Sequence, residues 1–180
     1  MASFSQGKEI GIVADDVCSL PRKIIDENEI GIVNTKLSFP GRQEFPGENL
    51  YKTMERTKAY PKTSAPSPGD FIKVYKKSLE KFKKIIVITL SSRLSGTYNS
   101  AFQAREFLAE SFSDNSSRIE LIDSQQAVAG EGLLVLKAID LIERGKSPKE
   151  IKNIIDNFKK DIKMIAFLKS TFWVEKIGRM

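Results

Sequence analysis

KIIVITLSSRLSGTYNSAFQ, residues 84–103, carries the clearest fold signal in the chain. Its first part, KIIVITL (Lys84–Leu90), is a short and almost continuous apolar run, which is typical of a parallel strand covered on both faces. The SSRLSGT segment that follows is a loop rich in hydroxyl groups, and the residues after it predict a helix. A buried strand that leads through such a loop into a helix predicts one unit of an α/β fold.

The same alternation of strand and helix patterns extends to both sides of this unit. The other predicted strands are EIGIVA from Glu9, IGIVNTKLSF (Ile30–Phe39), RIELI (Arg118–Ile122) and KMIAFL (Lys163–Leu168). The predicted helices are RKIIDEN after Pro21, a polar helix over Asn49–Lys58, FIKVYKKSLEKF (Phe71–Phe82), about Ala127–Arg144, and Pro148–Lys159. Strands separated by helices favour right-handed crossovers, so we expect a mostly parallel, Rossmann-like sheet flanked by helices.

The composition describes a soluble globular domain. The chain has 180 residues, of which 41% are apolar and 29% charged, enough for one hydrophobic core. It contains no apolar run of membrane-spanning length, and its first residues, MASFSQGKEI, do not form a signal peptide. The single cysteine, Cys18, cannot form an internal disulfide, and its thiol is expected to pack as a small apolar group. We therefore expect a cytoplasmic protein.

The residue counts exclude several kinds of chemistry. The chain has no histidine, so it holds neither a Ser-His-Asp or Cys-His relay nor an imidazole metal ligand. Its net charge is +6, and lysines cluster between Lys73 and Lys84 on a predicted helix. Lysines spaced in this way usually form the solvated face of the helix, so we do not expect nucleic-acid binding.

The residues that follow the predicted strands are the candidates for a binding site, because ligands of parallel α/β sheets bind at the carboxyl ends of the strands. The richest of these segments is SSRLSGT, where hydroxyls and free backbone N–H groups at a helix start suit a carboxylate or a phosphate. The alternative is that a hydroxyl only caps its own helix. In TSAPSP, Ser67 is such a cap, whereas Thr63 and Ser64 are free to face a ligand.

Two strand-end aspartates allow a different chemistry. Asp15 and Asp123 could approach each other and hold Mg²⁺, as in phosphoryl-transfer sites. The ordinary role of such aspartates is to cap turns and helices, and the chain has no GxxxxGK[ST] phosphate loop.

Five strings together resemble the DegV family: IVADDVCSLP, KTSAPSPGDF, SSRLSGTYNSAFQA, IELIDS and KIGRM, in the family's order and approximate spacing. The most specific feature is the joint presence of T-S-x-P at Thr63–Pro66 and S-x-L-S-G-T-Y at Ser92–Tyr98. The resemblance implies a two-domain bacterial fatty-acid-binding protein. Such a protein is a carrier, not an enzyme, and holds a long-chain fatty acid for a separate fatty-acid kinase.

Carried over by motif, the resemblance implies that Thr63 and Ser95 bind the fatty-acid carboxylate and that Arg179 lies close to it. It implies no catalytic residue, metal or cofactor. The sequence departs from the family pattern at Ala14–Asp16, where T-D-S is usual, at Arg93, where glycine is usual, and at Ile177, in the first position of a G-G-R motif. Arg93 could attract the anion or point to solvent.

The resemblance also implies that residues 1–180 form the N-terminal α/β domain and that the chain is truncated at the start of a second domain. That domain supplies much of the acyl pocket in the family. Losing half the burial of a tail of about 14 methylenes removes roughly 5–6 kcal/mol, so we expect weakened binding. We also expect an exposed interdomain face that allows self-association.

Two other functions stay open at this point. One is a Mg²⁺-dependent enzyme that handles phosphate through Asp15, Asp123 and the SSRLSGT loop. The other is a purely structural or interaction domain, in which the hydroxyl-rich loops serve only as caps.

Overall fold

The computed structural model describes residues 8–38, 61–111, 116–165, 167–168, 171 and 174–175. Its strands are β1 (Lys8–Asp15), β2 (Gly31–Val33), β3 (Lys36–Ser38), β4 (Lys62–Ser64), β5 (Phe82–Thr89) and β6 (Ile119–Asp123). Its helices are α1 (Arg22–Glu27), α2 (Pro68–Lys81), α3 (Thr97–Ser111), α4 (Ala129–Glu143) and α5 (Pro148–Phe158). The helix predicted over Asn49–Lys58 lies outside the described residues.

Four strands form a parallel sheet in the order β2-β1-β5-β6. Pairs such as Ile12 with Ile86 and Val87 with Leu121 set the register. The predicted α/β class and mostly parallel sheet are therefore confirmed. The order also shows that the chain builds the sheet outward from its centre in both directions, from β1 to β2 on one side and from β5 to β6 on the other.

Alternate residues of the central strand β5 supply two hydrophobic cores. Ile86 and Ile88 face α4 and α5 in one core. Ile85 and Val87 face α2 and α3 in the other. All four side chains are fully buried, because helices cover the sheet on both faces. Among the described residues, no helix combines the length and apolarity needed to cross a bilayer.

Two helices begin with a serine cap, at Ser67 as predicted above and at Ser147, where Ser147 and Glu150 have the spacing of a capping box. The Ser67 hydroxyl accepts a hydrogen bond from the Asp70 N–H at the start of α2, and the Ser147 hydroxyl accepts one from the Glu150 N–H at the start of α5. Each acidic side chain in turn accepts from the backbone N–H of its serine, which completes a capping box.

The extended stretch predicted over Ile30–Phe39 divides between two sheets. β2 joins the parallel sheet, whereas β3 pairs antiparallel with β4, with Leu37 opposite Thr63. Between β2 and β3, Thr35 donates hydrogen bonds from its N–H and its hydroxyl to the Asp16 carboxylate, at 3.1 Å each. This anchor turns the chain away from the main sheet and places a small hairpin beside it.

The strand predicted over Lys163–Leu168 is wrong. The described residues of this segment form no strand, and the side chains of Ile165 and Phe167 are 77% and 97% exposed. At the neighbouring edge of the sheet, the β6 carbonyls of Leu121 and Asp123 accept hydrogen bonds from lysine side chains of α5. A strand needs a free edge to pair with, and these lysines occupy two of the edge positions.

Candidate functional site

A crevice opens at the carboxyl ends of β1 and β5, the two central strands. The connections that follow these strands run in opposite directions across the sheet. In open α/β sheets the ligand binds at such a switch point, because the diverging connections leave a gap. The fold therefore places the residues after Asp15 and after Thr89 at the expected position of a binding site.

An open cleft of about 390 Å³ occupies this position. Four of its lining residues carry hydroxyl groups and five are apolar. The residues with hydroxyl groups are Thr35, Thr63, Ser64 and Ser95, and the apolar residues are Val17, Ala65, Leu90, Leu94 and Val174. A cleft with this division can hold an anionic or polar head group beside an apolar segment of the same ligand.

The structure brings together the two motifs that the sequence analysis singled out. Thr63 lies on β4 and Ser95 lies in the loop before α3, and both line the cleft. A Cβ atom added to Gly96 would stand 3.9 Å from the Ala65 Cβ, so the two motifs lie side by side. Gly96 and Ala65 are the small residues where the β3–β4 hairpin approaches the start of α3.

Ser95 also caps its own helix. Its hydroxyl accepts a hydrogen bond from the Thr97 N–H at 3.3 Å and lies 2.9 Å from the Thr97 hydroxyl oxygen. The capping alternative thus describes a real contact. Either hydroxyl can be the donor of the contact between Ser95 and Thr97. When Thr97 donates, the Ser95 oxygen only accepts, and its proton is available to an anion in the cleft.

Asp15 fixes two walls of the cleft relative to each other. One carboxylate oxygen accepts from the Val17 N–H at 3.0 Å, and the other accepts from the Leu90 N–H at 2.7 Å. The side chain is fully buried, and burial raises the pKa of Asp15 to about 6 although these two hydrogen bonds oppose the shift. Asp15 therefore ties the loop after β1 to the loop after β5.

The other strand-end aspartates also hold loops. Asp16 anchors Thr35 as described above, and Asp123 accepts hydrogen bonds from the N–H and the hydroxyl of Ser92, at 3.1 and 2.6 Å. In the part of the chain that the structure describes, no group of three or more acidic, cysteine or histidine side chains could hold a metal ion. In these contacts the aspartates hold turns and loops, which is their ordinary structural role.

The remaining candidate residues lie away from the cleft or outside the described chain. Arg93 is exposed and does not line the cleft. Cys18 is buried, and burial raises the pKa of its thiol to about 11, which fits a side chain that packs as an apolar group. Arg179 lies outside the described residues.

One residue next to the site is absent from the sequence analysis. Glu131, in the first turn of α4, is fully buried, and burial together with the neighbouring Asp15 carboxyl raises its pKa to about 10. A sequence signal exists, because position 131 shares a helix face with the apolar residues Leu134, Val135 and Ala138. A carboxyl on such a face indicates either a buried partner or a functional role.

A second groove of about 390 Å³ lies between α1 and α2. Its lining includes Gly31 and Phe82, at the amino ends of β2 and β5, and the charged side chains of Lys81 and Glu29, which pair at 2.8 Å. Because it lies at the opposite end of these strands from the switch point, we assign the site to the first cleft.

Comparison with known proteins gives a consistent result. The sequence profile of a family described as "Uncharacterised protein, DegV family" matches residues 9–180. A DegV domain-containing protein from Clostridium acetobutylicum is 35% identical over 178 residues, which cover 96% of this chain and 60% of that protein. A second one, from Caldanaerobacter subterraneus, is 32% identical and is covered to 61%.

Solved structures match the fold over a similar range. A stearic-acid-binding protein from Eubacterium ventriosum has a TM-score of 0.73 and 28% identity, with 82% of this chain and 52% of that chain covered. A DegV family protein from Thermus thermophilus, described by its fatty-acid binding, has a TM-score of 0.79 and 26% identity, with 95% and 60% covered. The chain thus spans about three-fifths of the length of its curated relatives (60% and 61%). Since the profile matches from residue 9 to residue 180, the chain belongs to the DegV family.

Proposed function

We propose that this chain binds a long-chain fatty acid, with the carboxylate between Thr63 and Ser95 and the adjoining methylenes along the apolar wall of the cleft. The observation that carries the proposal is that these two hydroxyl residues, from separate motifs, line one cleft together with five apolar residues. Solved structures of related proteins described as binding fatty acids, at 26–28% identity, support the same ligand class.

The donors in the cleft suit a carboxylate. Hydroxyl groups form charge-assisted hydrogen bonds to a carboxylate without burying a cation beside it. The cleft also lies at the amino end of α3, where backbone N–H groups of the first turn have no acceptor within the helix. An anion held there gains hydrogen bonds that the empty helix end lacks.

We propose further that the chain is a cytoplasmic carrier that presents the bound fatty acid to a fatty-acid kinase, and is not itself an enzyme. Thr63 and Ser64 are exposed, so a carboxylate beside them lies where a second protein can reach it. Neutral hydroxyl donors leave one carboxylate oxygen available for phosphorylation.

The chain covers only part of its relatives' length, and this affects how much of the acyl tail it can bury. We propose that residues 1–180 correspond to the N-terminal domain of these relatives and supply the head-group clamp. Further burial of the acyl chain then comes from the part of the relatives that these residues do not match. A fatty acid is accordingly expected to bind this chain less tightly than it binds a whole relative, which titration of both proteins with the same fatty acid would check.

The clamp is tested by Thr63→Ala and Ser95→Ala, singly and together. A hydrogen bond to a charged group contributes about 1.5–3 kcal/mol, so each substitution is expected to weaken fatty-acid affinity by at least about tenfold. Affinity is measured by titration with a fluorescent long-chain fatty acid. Native mass spectrometry of the chain purified from bacteria is expected to show a fatty-acid mass that the double variant lacks.

Ser147→Ala is the matched control, because it also removes a capping hydroxyl, at the start of α5, but does not touch the cleft. It is expected to lower stability by about 1 kcal/mol and to leave fatty-acid affinity unchanged. A double variant that binds as tightly as the wild type would overturn the clamp. With a fatty-acid kinase added, acyl phosphate is expected from lipid bound to the wild type and not from the double variant.

Exposed apolar side chains support a further prediction, self-association. Ile165, Phe167 and Leu168 are 77%, 97% and 54% exposed and lie within four residues of one another. Such a cluster is a common origin of contacts between copies. Sedimentation velocity is expected to show a concentration-dependent rise in sedimentation coefficient that Phe167→Ser reduces. A strictly monomeric profile at high concentration would contradict the prediction.

A further inference from the structure

Glu131 is a buried carboxyl group whose presence the binding site described above does not explain. The side chain is fully buried, and neither of its oxygens has a hydrogen-bond partner within the described residues. An unpaired polar group in the interior is costly, so a native chain that keeps one usually has a reason for it. Glu131 has to be explained by what it faces.

The packing of α4 brings Glu131 against the first strand. A Cβ atom added to the next residue, Gly132, would stand 2.6 Å from the carbonyl oxygen of Cys18, so the helix rests directly on the turn after β1. Within the described residues, the titratable groups that interact with Glu131 are Asp15, Asp16 and Cys18, none of which is a cation. In this part of the chain no positive charge beside Glu131 and Asp15 compensates a second anion.

Two carboxyl groups so placed cannot both ionise in the interior. Asp15 has the better environment for a negative charge, because it accepts two backbone N–H hydrogen bonds at 3.0 and 2.7 Å. Glu131 accepts none from the residues that the structure describes. The proton consequently stays on Glu131, which makes this side chain a neutral donor beside the Asp15 carboxylate.

We propose that Glu131 is a positioning residue for the lipid cleft: its protonated carboxyl supports the Asp15 carboxylate, and Asp15 in turn fixes the backbone of Val17 and Leu90. Both of these residues line the cleft, and neither Glu131 nor Asp15 does. The role of Glu131 in binding rests on the proposed function, whereas its effect on the two backbone N–H groups does not.

Glu131→Gln and Glu131→Leu separate positioning from simple filling of space. The amide of Gln is a neutral donor, as the protonated carboxyl of Glu is, so Glu131→Gln is expected to keep affinity for a fluorescent long-chain fatty acid within about threefold. Leu fills a similar volume but donates nothing, and Glu131→Leu is expected to weaken affinity by about tenfold or more. A residue that only filled space would give the opposite order, because an apolar side chain suits a buried position better than an amide.

Hydrogen exchange at the Val17 and Leu90 amides provides a readout without lipid. Glu131→Leu is expected to speed exchange at both amides, Glu131→Gln is expected to leave it unchanged, and the melting temperature shows whether the Leu variant folds. If the wild type binds no fatty acid while exchange follows this pattern, the proposed function fails and the positioning role stands. If Glu131→Leu matches the wild type in both affinity and exchange, the positioning role is overturned.

Discussion

Replacing Glu131 by Gln is expected to remove a steep fall in the free energy of unfolding that the wild-type chain shows between about pH 6 and about pH 9. The fall arises because the folded chain holds a proton on Glu131 that the unfolded chain releases. Gln has no such proton, so the variant is expected to be the more stable protein at alkaline pH.

The direction of this pH dependence follows from the pKa values of Glu131 in the unfolded and the folded chain. Burial and Asp15 raise the pKa from 4.5 to about 10 in the folded chain. At any pH between these values the unfolded state binds fewer protons than the folded state, so stability decreases as pH rises, by up to about 1.4 kcal/mol per pH unit. The stabilisation that comes from the raised pKa of Glu131 is fully present below pH 4.5 and is lost as pH rises through about 10. Asp15 adds to the slope only up to its own raised pKa of about 6, which sets the lower limit of the window.

Urea unfolding at several pH values checks this prediction. The stability difference between Glu131→Gln and wild type is expected to grow by at least about 2 kcal/mol from about pH 6 to about pH 9. Glu143→Gln is the control, since Glu143 is an exposed glutamate on the same helix, and its curve is expected to run parallel to the wild type. Parallel curves for Glu131→Gln as well would mean that Glu131 is ionised in the folded chain.

The sheet could be predicted from the sequence because its strands are buried on both faces. Such strands have to be continuous apolar runs, and the KIIVITL run matches β5 to within two residues at its start and one at its end. The helix caps at Ser67 and Ser147 were equally accessible, because a capping box is a contact between residues three apart. Features that depend on local composition and spacing can thus be predicted from the sequence alone.

The errors concern pairing between distant segments. An apolar run such as Lys163–Leu168 shows that a segment could form a strand, but not whether an edge is free to receive it, and lysines of α5 occupy the edge of β6. The β3–β4 hairpin was missed for a related reason. β3 lies within the extended stretch predicted over Ile30–Phe39, but its partner β4 has only three residues, all exposed, and carries no hydrophobic pattern.

The binding site divides in the same way. The sequence alone makes SSRLSGT a candidate binding segment, because its hydroxyls follow a buried strand. The assignment of Thr63 and Ser95 depends on the resemblance to the family. What the sequence could not show was that Asp15 and Asp16 hold the walls of the cleft, since their contacts reach Leu90 and Thr35. Glu131 lies on the apolar face of α4, which is a sequence signal, but a charged residue in a first helical turn is also ordinary, so the signal alone does not single it out.

Gly132→Ala is expected to lower the free energy of unfolding by about 1–3 kcal/mol, although Ala is the better helix former. The added Cβ would lie 2.6 Å from the backbone carbonyl oxygen of Cys18, which cannot rotate away as a side chain could. Either α4 or the turn after β1 has to shift. Val17 precedes Cys18 in that turn and lines the cleft, so weaker fatty-acid binding is expected to accompany the loss of stability.

Gly69→Ala is the matched control, since Gly69 is also a helical glycine, and the nearest heavy atom to an added Cβ there is 3.8 Å away. With space available, this substitution is expected to be neutral or to stabilise the chain by up to about 1 kcal/mol. Urea unfolding of both variants and wild type gives the comparison. If Gly132→Ala proves as stable as Gly69→Ala, α4 can move off the Cys18 carbonyl without cost. The contact between Glu131 and Asp15 would then be set by the two carboxyls themselves and not by the packing of the helix.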